Sequence, residues 1–149
     1  MLTEICQHLR NWFDYDAAHN RLPSWSGTYE IIGGEIPELE GRLIYGQYYR
    51  IIGSVLNDGV HQFPADDLQD ETFTGTIQSM AIPRALIILV DDISAWQLKC
   101  QPQIDSPYQS ESFGGYSYSL KSGGDASGSG GALDWRTHFA ARLAPWRKI

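Results

Sequence analysis

The apolar residues of the first segment recur at helical spacing. Ile5, Leu9, Trp12 and Phe13 form one stripe, which predicts a short amphipathic helix. We expect Thr3 to cap this helix, because its hydroxyl can accept a hydrogen bond from a free backbone N–H of the first turn.

The pattern changes to one that favours strands after a polar stretch at 14–26, which is typical of a loop. β-Branched and aromatic residues dominate 28–36, 42–54 and 73–82. The tripeptide Asn57-Asp58-Gly59 tolerates positive φ and is typical of a tight turn between paired strands. We therefore expect a hairpin at this point.

A second helix is predicted over 84–99. Pro83 suits the first helical position, because its missing N–H would have no intrahelical partner there. One face of the helix is apolar and consists of Leu86, Leu89, Val90, Ile93 and Trp96. A helix of this kind is normally the central helix of a core.

The C-terminal third has a different composition. Residues 108–119 are rich in aromatic side chains and serine, and eight of the ten positions in 122–131 are Gly or Ser, which is typical of a flexible linker. A final amphipathic helix follows, with Asp134 as its cap, and its apolar stripe consists of Trp135, Phe139, Leu143 and Trp146.

These elements predict an α+β fold. It has an N-terminal helix, a small antiparallel sheet or hairpin, a central core helix and an extended C-terminal arm that ends in an amphipathic helix. The expected organisation is a compact core over 1–105, an aromatic and serine-rich arm over 106–121, a linker over 122–131 and a helical segment over 132–149.

The charge is unevenly distributed. The chain has 18 acidic and 11 basic side chains and a net charge of −7. Residues 134–149 have a net side-chain charge of +3, so the rest of the chain has −10. An acidic body argues against nucleic acid or an anionic membrane surface as the main partner, since both attract clustered Lys and Arg.

No motif for catalysis, a cofactor or a metal is found. The acidic cluster Asp66, Asp67, Asp70 and Glu71 could hold a cation, but such runs are more often solvated loops. Asp14 and Asp16 lack the Gly and the terminal Glu that a calcium loop requires. Cys6 and Cys100 are expected to be reduced thiols, and Cys6 has no basic neighbour in sequence that would make it reactive. We also expect no signal peptide and no transmembrane span.

The apolar stripe of the last helix must be buried somewhere. It either returns to its own domain across the linker or docks in a groove of another subunit, and we favour the second alternative because a structureless tether would let the helix reach a neighbour. The candidate partner-binding residues are Tyr108, Ser110, Glu111, Phe113, Tyr116, Tyr118, Trp135, Arg136, Phe139, Arg142, Leu143, Trp146, Arg147 and Lys148.

The decapeptide from Ser110 to Ser119 reads S-E-S-F-G-G-Y-S-Y-S. It follows the core helix and precedes a short helix that ends in Trp146-Arg147-Lys148. This order resembles the C-terminal part of head–tail connector (adaptor) proteins of long-tailed bacteriophages. The stretches 47–64 and 71–75 also resemble prophage proteins of Gram-positive bacteria.

The resemblance implies a non-enzymatic structural protein of the virion, assembled in the host cytoplasm. Such adaptors form a dodecameric ring under the portal protein. Their C-terminal segments embrace the portal, their lower face receives the next connector or tail protein, and DNA only passes through the lumen. The core of that family is mainly helical, whereas 27–82 is predicted here to be β. This region is either an insertion or a sign of a different connector with a similar tail.

Two other functions remain open. One is a prophage-encoded acidic protein-binding module, such as an inhibitor or immunity-like protein, that acts in the host cytoplasm. The other is a small hydrolase or ligand-binding domain that uses the aromatic residues as a pocket, although no constellation of residues indicates one.

Overall fold

The computed structural model describes residues 1–16, 18, 20–104 and 134–148. The chain has the predicted α+β fold, with a four-stranded antiparallel sheet. The elements are α1 (Leu2–Leu9), β1 (Ser24–Ile31), β2 (Tyr48–Ile52), β3 (Gly59–Gln62), β4 (Glu71–Met80), α2 (Arg84–Ile104), α3 (Trp135–His138) and α4 (Ala140–Leu143), with 3₁₀ turns at Pro37–Leu39 and Ala144–Trp146.

The chain divides into two compact units. The first contains residues 1–90 together with the segment that begins at Trp146, and the second contains Asp91–Pro145. The division falls within α2, and the core domain predicted over 1–105 stays a prediction.

The sheet has the order β1-β4-β2-β3, and every neighbouring pair is antiparallel. The pairing of β2 with β3 confirms the hairpin that was predicted around Asn57-Asp58-Gly59. β4 lies between β1 and β2, and it pairs with all eight residues of β1. The sheet is therefore organised around the predicted strand at 73–82.

One face of the sheet carries a hydrophobic core cluster of the first unit. Because side chains alternate along a strand, every second residue points to this face. The core combines strand residues with apolar residues from the connecting segments, namely Tyr29, Ile31, Ile36, Leu39, Leu43, Tyr49, Ile51, Leu68, Phe73 and Ile77. On the other face of β1 and β4, hydroxyl pairs join the strands, Ser26 to Thr76 at 2.8 Å and Thr28 to Thr74 at 3.0 Å.

The predicted start and end of α1 were wrong. Thr3 lies inside the helix, and its Oγ1 accepts the N–H of Val60 in β3 at 3.0 Å, while Met1 is the cap residue. Arg10 adopts a left-handed conformation with φ 53°, which ends the helix. Trp12 and Phe13 therefore lie beyond α1, although their spacing had continued its apolar stripe.

The β2–β3 loop is held by side chains rather than by the turn alone. Asp58 accepts the N–H of Gly53 at 2.9 Å, where Gly53 has φ +94°. Asn57 is buried and donates to the Glu71 carboxylate at 2.8 Å, and the Ser54 hydroxyl bonds to the same carboxylate. Asn57 is thus a buried residue that links the loop to Glu71 of β4, and not an exposed turn residue.

The helices agree only partly with their predicted bounds. α2 begins directly after Pro83, as expected, but continues to Ile104 instead of ending at Lys99. The predicted last helix is two short helices, interrupted at Phe139 and followed by a 3₁₀ turn that contains Pro145. The predicted arm and linker lie outside the described residues. No helix of the described ranges has the length and apolar character needed to cross a bilayer.

The Glu71 carboxylate makes the β2–β3 loop sensitive to acid. Its hydrogen bond from Ser54, aided by bonds from Asn57 and backbone N–H groups, holds the pKa of Glu71 below its ordinary value of 4.5. Because the pKa in the folded state lies below that in the unfolded state, the ionised group stabilises the fold above pH 4.5, and this contribution is lost as the pH falls through the folded value.

We therefore expect Glu71→Gln to lower the free energy of unfolding at pH 7 and to differ less from the native protein at pH 3. Urea unfolding at both pH values measures this. Glu38→Gln is the control, because Glu38 is exposed and accepts no hydrogen bond from another described side chain. A Glu71→Gln deficit of equal size at both pH values would contradict the assignment.

Candidate functional site

The C-terminal segment, residues 134–148, is the part of the predicted partner-binding region that the structure describes. Asp134 caps α3 as expected, since its carboxylate accepts the N–H of Arg136 at 3.0 Å. Trp135, Phe139 and Leu143 are buried. In the single chain the apolar stripe is therefore covered by residues of the same chain, and docking on another subunit, the alternative favoured above, stays a prediction.

Within the second unit, this segment packs on side chains of α2. The Trp96 ring stacks on His138, with centroids 4.7 Å apart and planes inclined by 18°, and meets the edge of Phe139 at 5.8 Å. One turn earlier, Asp92 accepts a hydrogen bond from Arg142 at 2.6 Å. The aromatic contacts contribute about 0.5–1.5 kcal/mol each, whereas the ion pair is about half exposed and contributes less than about 1 kcal/mol.

Within the first unit, the residues that follow return to the end of α1. The Trp146 carbonyl accepts the Asn11 amide at 2.9 Å, and its indole meets the Phe13 ring edge-on at 6.5 Å. The Lys148 N–H donates to the Leu9 carbonyl at 3.1 Å. We call this set of interactions the Trp146–Lys148 contact.

The charge of Lys148 strengthens that contact. Its ammonium group lies 3.4 Å from the Asp14 carboxylate and 4.9 Å from the centre of the Tyr15 ring. The left-handed turn at Arg10 ends the helix, and the side chains that 146–148 contact, those of Asn11, Phe13, Asp14 and Tyr15, follow this turn. The early end of α1 and the Trp146–Lys148 contact are thus connected.

The arginines of the segment face solvent. Arg136 and Arg142 are about half exposed, and each is paired with a carboxylate. Arg147 is exposed and forms no ion pair with any other described residue. Trp135, Phe139 and Leu143 of the segment are thus buried, whereas Arg136, Arg142 and Arg147 are exposed, and each can contact an acidic partner surface.

The other predicted partner-binding residues have no described position. These residues, which lie outside the described ranges, are Tyr108, Ser110, Glu111, Phe113, Tyr116 and Tyr118. Their proposed role stays a prediction.

The acidic run at 66–71 has structural bonding partners. Asp70 accepts the N–H of Gly34 at 3.1 Å, and Glu71 is held by the β2–β3 loop. Across the described residues, no group of three or more His, Cys, Asp or Glu side chains is arranged to hold a metal ion.

Arg50 has an environment that the sequence does not reveal. Its guanidinium lies 3.4 Å above the Trp12 ring, and its buried Nε has no hydrogen-bond partner in the described structure. Burial lowers the pKa of Arg50 and raises that of the nearby Cys6 thiol to about 11, although the charge of Arg50 opposes the latter shift. Cys6 therefore has a basic neighbour in space that the sequence does not reveal, and burial still keeps the thiol protonated.

A shallow pocket of about 320 Å³ lies between the start of β2, the end of β4 and the start of α2. Its lining is mostly apolar, with Met80, Ile82 and Ile87 beside Tyr48 and Arg84. The lining contains no Ser, Cys, His, Asp or Glu, so this pocket offers no nucleophile and base for a hydrolase.

Comparisons with protein-family models, with curated proteins and with solved structures found no match for the chain. Its function has to be inferred from its own residues and their geometry.

We expect Trp146→Ala to lower the free energy of unfolding of the first unit by about 1–2 kcal/mol, because it removes the edge contact with Phe13 and the burial of the indole. Arg147→Ala is the matched control at the neighbouring, exposed position and should change stability little. Urea unfolding of both variants measures the difference. Equal effects of the two substitutions would show that the indole does not stabilise the unit.

We expect Cys6 to resist thiol reagents in the native protein. The thiol is fully buried, and with a pKa of about 11 its thiolate fraction at pH 8 is about one in a thousand. In Cys100→Ser, labelling with a disulfide reagent should require denaturant, whereas Cys6→Ser should react at the partly exposed Cys100 without it. Rapid native labelling of Cys6 would contradict the packing of α1.

Proposed function

We propose that this chain is a non-enzymatic head–tail connector (adaptor) of a long-tailed bacteriophage or of a prophage of Gram-positive bacteria. In this proposal, copies of the chain form a ring under the portal protein and join the capsid to the tail. DNA passes through the lumen of the ring.

The exposure of the three arginines of the C-terminal segment, Arg136, Arg142 and Arg147, is the observation that carries this proposal. The stripe of Trp135, Phe139 and Leu143 is already buried, so the groups left for a partner are the arginines. A contact with the portal would then be made through charge rather than through insertion of an apolar helix. Such a contact recognises an acidic surface and weakens as salt is added.

The charge distribution supports the same function. The chain outside 134–149 has a net charge of −10, which repels the phosphate backbone. A lumen lined by an acidic body would let DNA pass without binding it. The tail order of core helix, S-E-S-F-G-G-Y-S-Y-S and terminal Trp-Arg-Lys is the second support, because it resembles that of connector proteins.

Mass spectrometry of density-purified phage particles from an induced lysate of the source strain tests the proposal. We expect the chain in the particles at a copy number close to that of the portal protein. Its absence from the particles and abundance in the soluble lysate would overturn the connector function.

The exposed arginines can be tested separately. We expect the double variant Arg136→Glu/Arg147→Glu to fold, because both side chains are exposed, and to enter particles at least about tenfold less often. Arg21→Glu/Arg84→Glu is the control, with the same change of charge at exposed positions outside the segment. Equal incorporation of both double variants would contradict a contact through these arginines.

The second candidate is the acidic protein-binding module of the host cytoplasm. It is favoured by the β2–β3 loop, whose internal hydrogen bonds hold Val55 and Leu56 at 89% and 49% exposure. Preorganised apolar side chains are suited to a compact partner. This alternative predicts one soluble partner, recovered with the native chain and lost with Val55→Asp, and no copies in virions.

A further inference from the structure

β1 is an edge strand whose outer backbone groups can be identified. The N–H of Ser79 donates to the Pro23 carbonyl at 3.0 Å, in register with the β1–β4 pairs. Because hydrogen-bonded and non-hydrogen-bonded pairs alternate in an antiparallel ladder, the odd-numbered residues of β1 bond to β4. The N–H and C=O groups of Ser24, Ser26, Thr28 and Glu30 therefore point away from the sheet.

This outer edge is open. The four residues are exposed, and none of their outward backbone groups bonds to any part of the chain that the structure describes. Natural sheets usually protect such an edge with Pro, Lys, a bulge or a covering segment. β1 contains no Pro or Lys, and its eight pairs with β4 run without a bulge.

The opposite edge of the sheet, formed by β3, is protected, unlike the edge formed by β1. β3 has only four residues, and the outward N–H of Val60 is taken by the Thr3 hydroxyl of α1. One edge of the same sheet is thus short and capped, and the other is long and has no bonding partner among the described residues.

We propose that β1 pairs with β1 of a second copy of this chain. The pairing is antiparallel and centred on Gly27, so that two four-stranded sheets join into one of eight strands. Ser24 of each copy then faces Glu30 of the other, and Ser26 faces Thr28. All the outward groups of the four residues become bonded.

The single charge of the strand favours an antiparallel over a parallel pairing. In the antiparallel register, the two Glu30 side chains are six residues apart along the sheet, which is about 20 Å at about 3.4 Å per residue. That distance exceeds the Debye length of about 8–10 Å, so their repulsion is largely screened. A parallel pairing in register would place the two carboxylates side by side, which is destabilising.

The side chains on the core-facing side also fit. The two Gly27 residues meet at the two-fold axis, and a side-chain atom placed at Gly27 would meet only the Tyr29 ring, at 3.9 Å. Trp25, which is partly buried, faces Tyr29 of the other copy, and aromatic cross-strand pairs are stabilising. The contact closes at two copies, whereas a ring needs a different, head-to-tail contact. It therefore does not rest on the connector function.

The main test compares Thr28→Pro with Thr28→Ala by light scattering at a series of concentrations. Both variants lose the hydroxyl bond to Thr74, but only proline removes the outward N–H. We expect the native chain and Thr28→Ala to reach twice the monomer mass of 16.7 kDa, and Thr28→Pro to stay monomeric with an unchanged circular dichroism spectrum. A native chain that is monomeric at every concentration, or a folded Thr28→Pro that still dimerises, would overturn the proposal.

A crosslinking test decides the matter if Thr28→Pro fails to fold. Facing residues of a non-hydrogen-bonded pair have Cα atoms about 4.5 Å apart, within the range that a disulfide spans. In a Cys100→Ser background, Gly27→Cys should therefore form a disulfide-linked dimer on mild oxidation. Ser24→Cys should not, because its counterpart lies about 20 Å away at about 3.4 Å per residue. Equal crosslinking of the two variants, or none at Gly27→Cys, would contradict the register.

Discussion

The hydrogen bonds of β4 hold together segments that are far apart in the sequence. Its odd-numbered residues bond to β1, and the residues from Thr76 to Met80 pair with β2. One strand therefore sets the position of both neighbouring strands. Gly75 lies where a side chain would collide with the Ile52 carbonyl of β2, which explains why glycine occupies this position. The core on one face, the hydroxyl pairs on the other and the identity of the two edge strands all follow from this central position.

The C-terminal segment buries its apolar side chains and exposes its arginines. Apolar side chains of the C-terminal segment are buried, and its arginines remain in water, although the same helical periodicity produces both sets. A binding surface of this kind relies on charge, whose strength depends on ionic conditions, rather than on burial of apolar area. The proposed contact between β1 strands uses backbone groups instead, so the two surfaces are suited to different partners.

Local patterns predicted local structure well. The apolar face of α2 and the strand at β4 are continuous over several turns or residues, and both were located correctly, although α2 continues further. The end of α1 was missed because a left-handed arginine has no sequence signature comparable to that of glycine. The two short helices α3 and α4 were predicted as one, since a turn at Phe139 leaves the apolar spacing intact.

Relations between distant residues were beyond the sequence. The strand order cannot be read from alternation within each strand, and neither can the stacking of Arg50 on Trp12. Asn57 has a sequence context typical of a turn, but the sequence does not show that its side chain donates a hydrogen bond to Glu71. The burial of the C-terminal stripe within the single chain could not be predicted, because it depends on side chains distant in the sequence. One of these is Trp96 on α2, which contacts His138 and Phe139.

The Trp146–Lys148 contact has a consequence for how the chain matures on the ribosome. Asn11 and Trp146 are 135 positions apart, so the stretch at 9–15 is synthesised long before its binding partners. Trp12 can stack on Arg50 as soon as β2 has been made. The contacts of Asn11, Phe13 and Asp14 with residues 146–148 form only after translation has passed residue 148, when the sheet can already be complete.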